Sequence, residues 1–174
     1  IAFAIFSEIS RVIIEVKKPS NKAEMLTHDR LNVKALHELA LYYLRERISH
    51  QNLEIRHLIA ANVYEWFIFD AAVFERAFAQ NARLVKYFKD FETGRLAGGT
   101  TDFFYKEIVE PAVNSLTTEL TYTWFDLRDC EKSLRSARKT ADAKLIALFK
   151  LLSPEHLLKR PFANDSNRLN AAFY

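Results

Sequence analysis

The chain has 174 residues, 49% apolar and 27% charged, which is enough for one domain with a buried core and ordinary for a soluble globular protein. Only 3 glycines and 4 prolines argue against a long disordered linker, and Cys130, the single cysteine, excludes an internal disulfide and a cysteine-rich zinc site; a reducing, cytoplasmic setting is expected. The net charge of +3 permits a polyanion partner without requiring one, and no apolar run reaches the length of a membrane span.

Residues 1–6, "IAFAIF", and 11–17, "RVIIEVK", read as two strands joined by the short turn "SEIS", adjacent and antiparallel. A helix is expected over 29–48, with Leu36, Leu39, Ala40, Tyr43 and Leu44 on one apolar stripe. Strands follow at 56–61 and 64–69, with Asn62 in the turn between them. Asp70 stands where an N-cap would start a helix over 71–88. "ETGRLAGGTT" holds all three glycines and reads as the main loop. Thr101 or Asp102 begins a helix to about Leu116, interrupted at Pro111. "LTYTWFDL", 120–127, fits a strand or the start of the next helix. A long charged helix follows over 129–152, Pro154 and Pro161 bracket short helical turns, and "NDSN", 164–167, offers caps for a last helix. Strands and helices are mixed along the chain, so the class is α/β, with additional helices at the C-terminal end. The chain begins at Ile1 and closes on "NRLNAAFY", which reads as a helix still running; a fragment of a longer protein is expected.

The chemistry concentrates at Glu15 and Lys17. Alternation on a strand puts Ile13, Glu15 and Lys17 on one face and Val12, Ile14 and Val16 on the other, free to pack under a helix. A rigid strand thus presents a carboxylate beside an ammonium. Phosphodiester hydrolysis uses such a pair: a hard divalent cation binds carboxylate oxygens and neutralises charge on the phosphate, and an ammonium holds water and adds positive charge. The carbonyl of Val16 is a further candidate metal ligand, and a second carboxylate on an adjacent strand would be the usual supplement. The plain alternative is a surface ion pair. Against it, the strand is apolar on both faces before the pair, as in a buried strand, and the continuation "KPSNKAEM" turns polar, as where a strand end opens onto a site.

The stretches "IIEVKKPSNKAEM", "LNVKALHELALYYLRER", "NVYEWFIFD" and "TTDFFYKEI" resemble the N-terminal nuclease region of type IIG restriction-modification enzymes, single chains that join an endonuclease to an adenine-specific DNA methyltransferase. The resemblance covers most of the chain and is strongest over 1–110. It implies a PD-(D/E)xK restriction-endonuclease-like mixed sheet flanked by helices. The nuclease core would span 1–116, and 117–174 would be a helical extension toward the methyltransferase region. It also implies magnesium-dependent cutting of double-stranded DNA, with Glu15 as metal ligand and Lys17 as catalytic lysine. S-adenosylmethionine would serve only the methyltransferase of the full-length enzyme, and a target-recognition domain outside these residues would choose the site. In "IAFAIF" the family pattern places an Asp where this chain has Ala2. Alanine binds no metal, which leaves an engineered replacement, a natural loss of cutting or a different register as readings of that position. Relatives carry a Gln-x-x-x-Tyr pair on the next helix; Glu38 and Tyr42 have that spacing here and share a helical face. For Tyr42 the competing reading is a helix-surface aromatic half covered by the sheet.

Other candidates carry their own alternatives. Lys18, Asn21 and Lys22, on the polar loop, suit phosphate contacts or a solvated loop equally. His28, His37, His50, His57 and His156 lack metal-ligand spacing and read as surface or packed histidines. Trp66, Phe67 and Phe69 read as core, with stacking on bases the lesser alternative. Arg128, Lys132, Arg135, Arg138, Lys139 and Lys144 form a basic stretch that would track a DNA backbone, meet the rest of a longer chain or simply be solvated. The function expected is therefore a metal-dependent endonuclease module, and the alternative is an inactive nuclease fold that binds DNA or scaffolds a complex.

Overall fold

The β-branched run after Arg11 forms strand β1 (Val12–Val16). It pairs in parallel with β2 (His57–Ala61), Glu15 lying opposite Ala60. A parallel pair needs a long crossover, and here helix α1 (Lys34–Leu44) supplies it, running on through a π turn (Arg45–Ser49). Strand β3 (Glu65–Asp70) returns antiparallel to β2, and β4 (Thr123–Asp126) adds antiparallel to β3. The computed structural model describes residues 10–96, 98–117, 119–131, 135 and 143–158. The expected strand at 1–6 with Ala2, and the last helix from 164, lie outside them. Within them the chain is an α/β structure, a four-stranded mixed sheet in the order β1-β2-β3-β4 with helices on both faces.

The two faces differ in weight. One carries Ile13, Leu58, Ala60, Phe67 and Phe69 against Leu36, Leu39, Ala40, Tyr43 and Leu44 of α1 and a shell of Phe74, Phe78, Phe88 and Phe104. Each fully buried side chain of this kind contributes about 1.5–3 kcal/mol of transfer free energy. The other face carries Val12, Ile59, Ala61, Ile68 and Phe125 against Leu148 and Leu151 of helix α6 (Ala143–Leu151). Helix α7 (Pro154–Leu158) is tied to that side by the His57 ring, whose Nδ1 lies 3.0 Å from the carbonyl oxygen of Leu157. No helix among the described residues is long and apolar enough to cross a membrane.

Local chemistry sets the turns. Asn62 Oδ1 accepts from the backbone N–H groups of Tyr64 and Glu65, both at 2.7 Å, closing the β2–β3 turn. Asp70 Oδ1 accepts from Ala72 N at 2.7 Å and caps helix α2 (Ala71–Phe74), which continues through a π turn (Glu75–Ala79).

Several expected bounds change. Helix α1 starts at Lys34 rather than 29, because Thr27 and Arg30 bond to each other's backbone and hold that stretch in a turn. The helix over 71–88 is two helices: Asn81 accepts from Leu84 N at 3.1 Å and starts α3 (Ala82–Glu92) afresh. Pro111 does not interrupt its helix. Helix α4 (Thr101–Phe103), capped by Thr100, passes through a π turn (Phe104–Val109) into α5 (Glu110–Asn114), and the helix changes its hydrogen-bond spacing just before Pro111, whose missing N–H an unbroken α-helical ladder would need. Residues 120–127 resolve in favour of a strand, β4, followed by a 3-10 turn (Leu127–Cys130) where the charged helix was expected to begin. β4 lies past residue 116 yet completes the sheet, so the sheet extends beyond the expected core boundary.

Replacing Asn62 by Ala removes two accepted hydrogen bonds from the β2–β3 turn, in which Asn62 alone is buried, and leaves their donors to find water. We expect a loss of about 1–3 kcal/mol in urea unfolding, with most of it recovered in Asn62→Asp when Glu65→Gln is present in both variants, since Asp keeps the acceptor but would otherwise face the Glu65 carboxylate that Asn62 Nδ2 now binds at 3.0 Å. Equal losses in both variants would show that the turn does not depend on the acceptor.

Candidate functional site

Glu15 and Lys17 leave the same face of β1, the face under α1. The ladder continues one residue past the strand, Lys17 N donating to Ala61 O at 2.8 Å, so both side chains spring from rigid backbone. Because bonded residues alternate in a parallel ladder, this pairing aims the Val16 carbonyl away from β2. Burial is severe for charged groups: Glu15 is 4% exposed and Lys17 8%.

Helix α1 is apolar nearly all round. Its three residues that are not buried are Lys34, Glu38 and Tyr42, four apart and therefore on one stripe. That stripe meets the site. Lys17 Nζ donates to Glu38 Oε2 and lies 3.2 Å from Glu15 Oε1. A third carboxylate comes from the loop: Glu24 Oε2 lies 3.5 Å from Lys17 Nζ, and its Oε1 lies 3.4 Å from Lys34 Nζ. The loop over 18–33 is anchored on both sides. The His28 ring packs edge-on to Trp124 at 4.7 Å and its Nδ1 lies 2.9 Å from the Tyr122 hydroxyl. Asn32 Nδ2 donates to Glu110 O and to Asn114 Oδ1, at 3.1 and 2.7 Å. Glu24 itself is pinned where its carbonyl accepts the N–H of Ala35, one of the orphan donors of the first turn of α1, at 3.0 Å.

The electrostatics follow from that crowding. Burial, and then the negative charge of Glu38, push the Glu15 carboxyl above the usual carboxylate range, with Lys17 opposing. Burial works against the Lys17 ammonium, but the hydrogen bond to Glu38 and the charge of Glu15 outweigh it and hold Lys17 above the ordinary lysine value. Glu24, by contrast, is held low: its burial penalty is outweighed by the hydrogen bond from Asn21 and the charges of Lys34 and Lys17. The Tyr42 phenol is pushed up by burial and by the carboxylates of Glu15 and Glu38. Tyr105, on the π turn of the α4–α5 segment, is pushed up by burial and by Glu38 and Tyr42, and so belongs to the same surroundings. Behind them His37 is buried and brought down to about 4, its Nε2 at 2.6 Å from Asn32 Oδ1.

The expected site residues thus separate. Glu15, Lys17, Glu38 and Tyr42 come together. Lys18 and Lys22 are exposed on the loop beside them, while Asn21 is engaged with Glu24. Arg128 is removed from the basic stretch by a forked bond to Asp126 and by its stack over Tyr64, 5.2 Å to the ring centroid. Arg135 pairs with Glu131 at 2.6 Å, and Lys132, Arg138 and Lys139 lie outside the described residues. Glu24 and Tyr105 escaped the sequence reading. Glu24 lies in a loop with no periodicity to single it out, and Tyr105 in an aromatic run that reads as core.

Among the described residues no three His, Cys, Asp or Glu side chains are arranged as a ready metal cage. The donor chemistry nevertheless suits a hard divalent ion. With all three ionised, Glu15, Glu24 and Glu38 would carry three negative charges against the two of Lys17 and Lys34, one in excess. Magnesium keeps several waters and needs only one or two protein carboxylates.

Fold and site together define an α/β domain with a buried carboxylate–ammonium cluster at the end of a parallel strand pair. The family model described as "Domain of unknown function (DUF7149)" matches residues 4–165, and the chain belongs to that family. No curated protein and no solved structure matches the chain.

The raised Glu15 has a consequence for stability. The folded state holds that proton more tightly than the unfolded chain, so stability falls as pH rises from the unfolded value, near 4.5, through the folded one. Glu15→Gln removes this loss. Its melting temperature should exceed that of the parent at pH 7, with a gain that shrinks toward pH 4. A lower melting temperature at pH 7 would mean that Glu15 is a net stabilising partner of Lys17.

Proposed function

We propose that this chain is the nuclease module of a type IIG restriction-modification enzyme, built on a PD-(D/E)xK core and hydrolysing phosphodiester bonds of double-stranded DNA with magnesium. The observation that carries the reading is the convergence, at one strand end, of Glu15 and Lys17 from β1 with Glu38 and Tyr42 from the following helix. The mixed sheet with helices on both faces is compatible with the proposed core, and the quoted sequence stretches supply the family assignment.

In this reading Glu15 and Glu38, with the Val16 carbonyl, would hold the ion. A bound magnesium supplies charge neutralisation at the phosphate and acidifies its water. The chain's own groups do the rest. Lys17, kept protonated by its carboxylates, places positive charge where the phosphorane forms and orients the attacking water. Tyr42, kept protonated, donates a hydrogen bond. Lys18 and Lys22 contact phosphates and set the register of the duplex. Sequence choice and S-adenosylmethionine chemistry belong to target-recognition and methyltransferase regions of the same longer chain. Ala2 favours a second reading, an inactive nuclease fold that binds DNA or scaffolds a complex, because the family pattern puts a metal-binding Asp there.

The two readings divide on cleavage. Ala2→Asp in the full-length protein should nick or cut duplex DNA with magnesium, and adding Lys17→Ala should abolish it. A folded, DNA-bound Ala2→Asp protein that stays inert with magnesium and manganese leaves only the binding reading.

Binding by this module should be weak, sensitive to salt and indifferent to sequence, since a net charge of +3 neutralises few phosphates. Charge reversal at Lys18 and Lys22 should weaken two unrelated duplexes alike and flatten the salt dependence. A preference for one duplex that survives high salt would show that the domain reads bases.

A further inference from the structure

We infer that Glu24 is a positioning residue for Lys17, the carboxylate to which the ammonium moves when Glu15 and Glu38 turn to a divalent cation. Lys17 Nζ lies among three carboxylates. Two of them, Glu15 at 3.2 Å and Glu38 in direct hydrogen bond, are the groups the proposed function assigns to the ion. Lys17 holds one oxygen of each, Oε1 of Glu15 and Oε2 of Glu38, and a divalent cation drawn to both carboxylates repels the ammonium, so Lys17 needs a further partner to stay charged and near the site. Leaving a buried ammonium without a partner is costly. Glu24 removes that cost. It already stands 3.5 Å from Nζ, and it comes from neither β1 nor the Glu38 turn of α1.

Its placement is built rather than incidental. The backbone is tied to the first turn of α1 through Ala35 N, Asn21 hydrogen-bonds the side chain, and the loop is fastened by His28 to the β4 side and by Asn32 to α5. Lys34 lies 3.4 Å from the far oxygen of Glu24, so the carboxylate bridges two ammonium groups, while the backbone and Asn21 ties fix its position.

The release half of this inference rests on the nuclease reading; the hold half does not. Two mutant cycles on the full chain separate them, with manganese affinity and urea midpoint as readouts and no activity required. Glu24→Gln should weaken manganese binding about tenfold, persist at that size in a Lys34→Met background, and shrink to within about twofold when Lys17 is Met. A loss of equal size with Lys17→Met would show a through-space charge effect, and a loss that vanishes with Lys34→Met would show a simple surface pair; either overturns the inference. Where Lys17→Met does not fold, Lys17→Gln takes its place in the same cycle. If no folded variant binds manganese, the cation reading of the site fails, and the urea cycle then tests the hold. A drop in midpoint on Glu24→Gln that survives Lys34→Met sustains it, and one that disappears overturns it.

Discussion

A single ammonium, Lys17, with 8% of its surface exposed, organises this domain. Charge does not enter a protein interior unpaired, and the structure answers with carboxylates from three separate places: the same strand, the next helix and the loop between them. Leaving a buried charge with no partner typically costs about 3–5 kcal/mol, a large share of the about 5–15 kcal/mol that holds a domain together. The convergence of β1, α1 and the 18–33 loop is therefore an energetic requirement once Lys17 is buried.

The surrounding architecture reads as the means of keeping those three suppliers in place. The parallel ladder fixes the base of Glu15 and Lys17. Helix α1 is so thoroughly apolar that its rotation is determined by burial, and this leaves Lys34, Glu38 and Tyr42 no direction but the site. The loop is fastened to β4 by His28 and to α5 by Asn32, so segments from the C-terminal half help hold a carboxylate that comes from the N-terminal half. With all three carboxylates ionised one negative charge would be in excess, and Glu15 relieves it by resisting ionisation. A domain selected for stability alone would have placed an apolar residue there.

What the sequence by itself determined was everything set by neighbours along the chain. The β-branched run made β1, and period-two alternation put Glu15 and Lys17 on one face. Asn62 and Asp70 announced a turn and a cap because an Asx side chain bonds backbone two or three residues away. The four-residue spacing of Glu38 and Tyr42 sufficed to place them on one helical stripe. Only the tertiary structure decided the rest. Pairing of β1 with β2 joins residues more than forty apart, and no local pattern encodes such a partner. Asn81 restarted a helix that periodicity alone ran straight through, and β4 stayed open between strand and helix until β3 supplied its edge. Glu24 is the clearest case. It sits in a polar loop where nothing distinguishes it from a solvated glutamate, and it became part of the site only because the folded loop carries it to within 3.5 Å of Lys17. A charge acquires its role from the charges that folding brings to it, and those lie elsewhere in the chain.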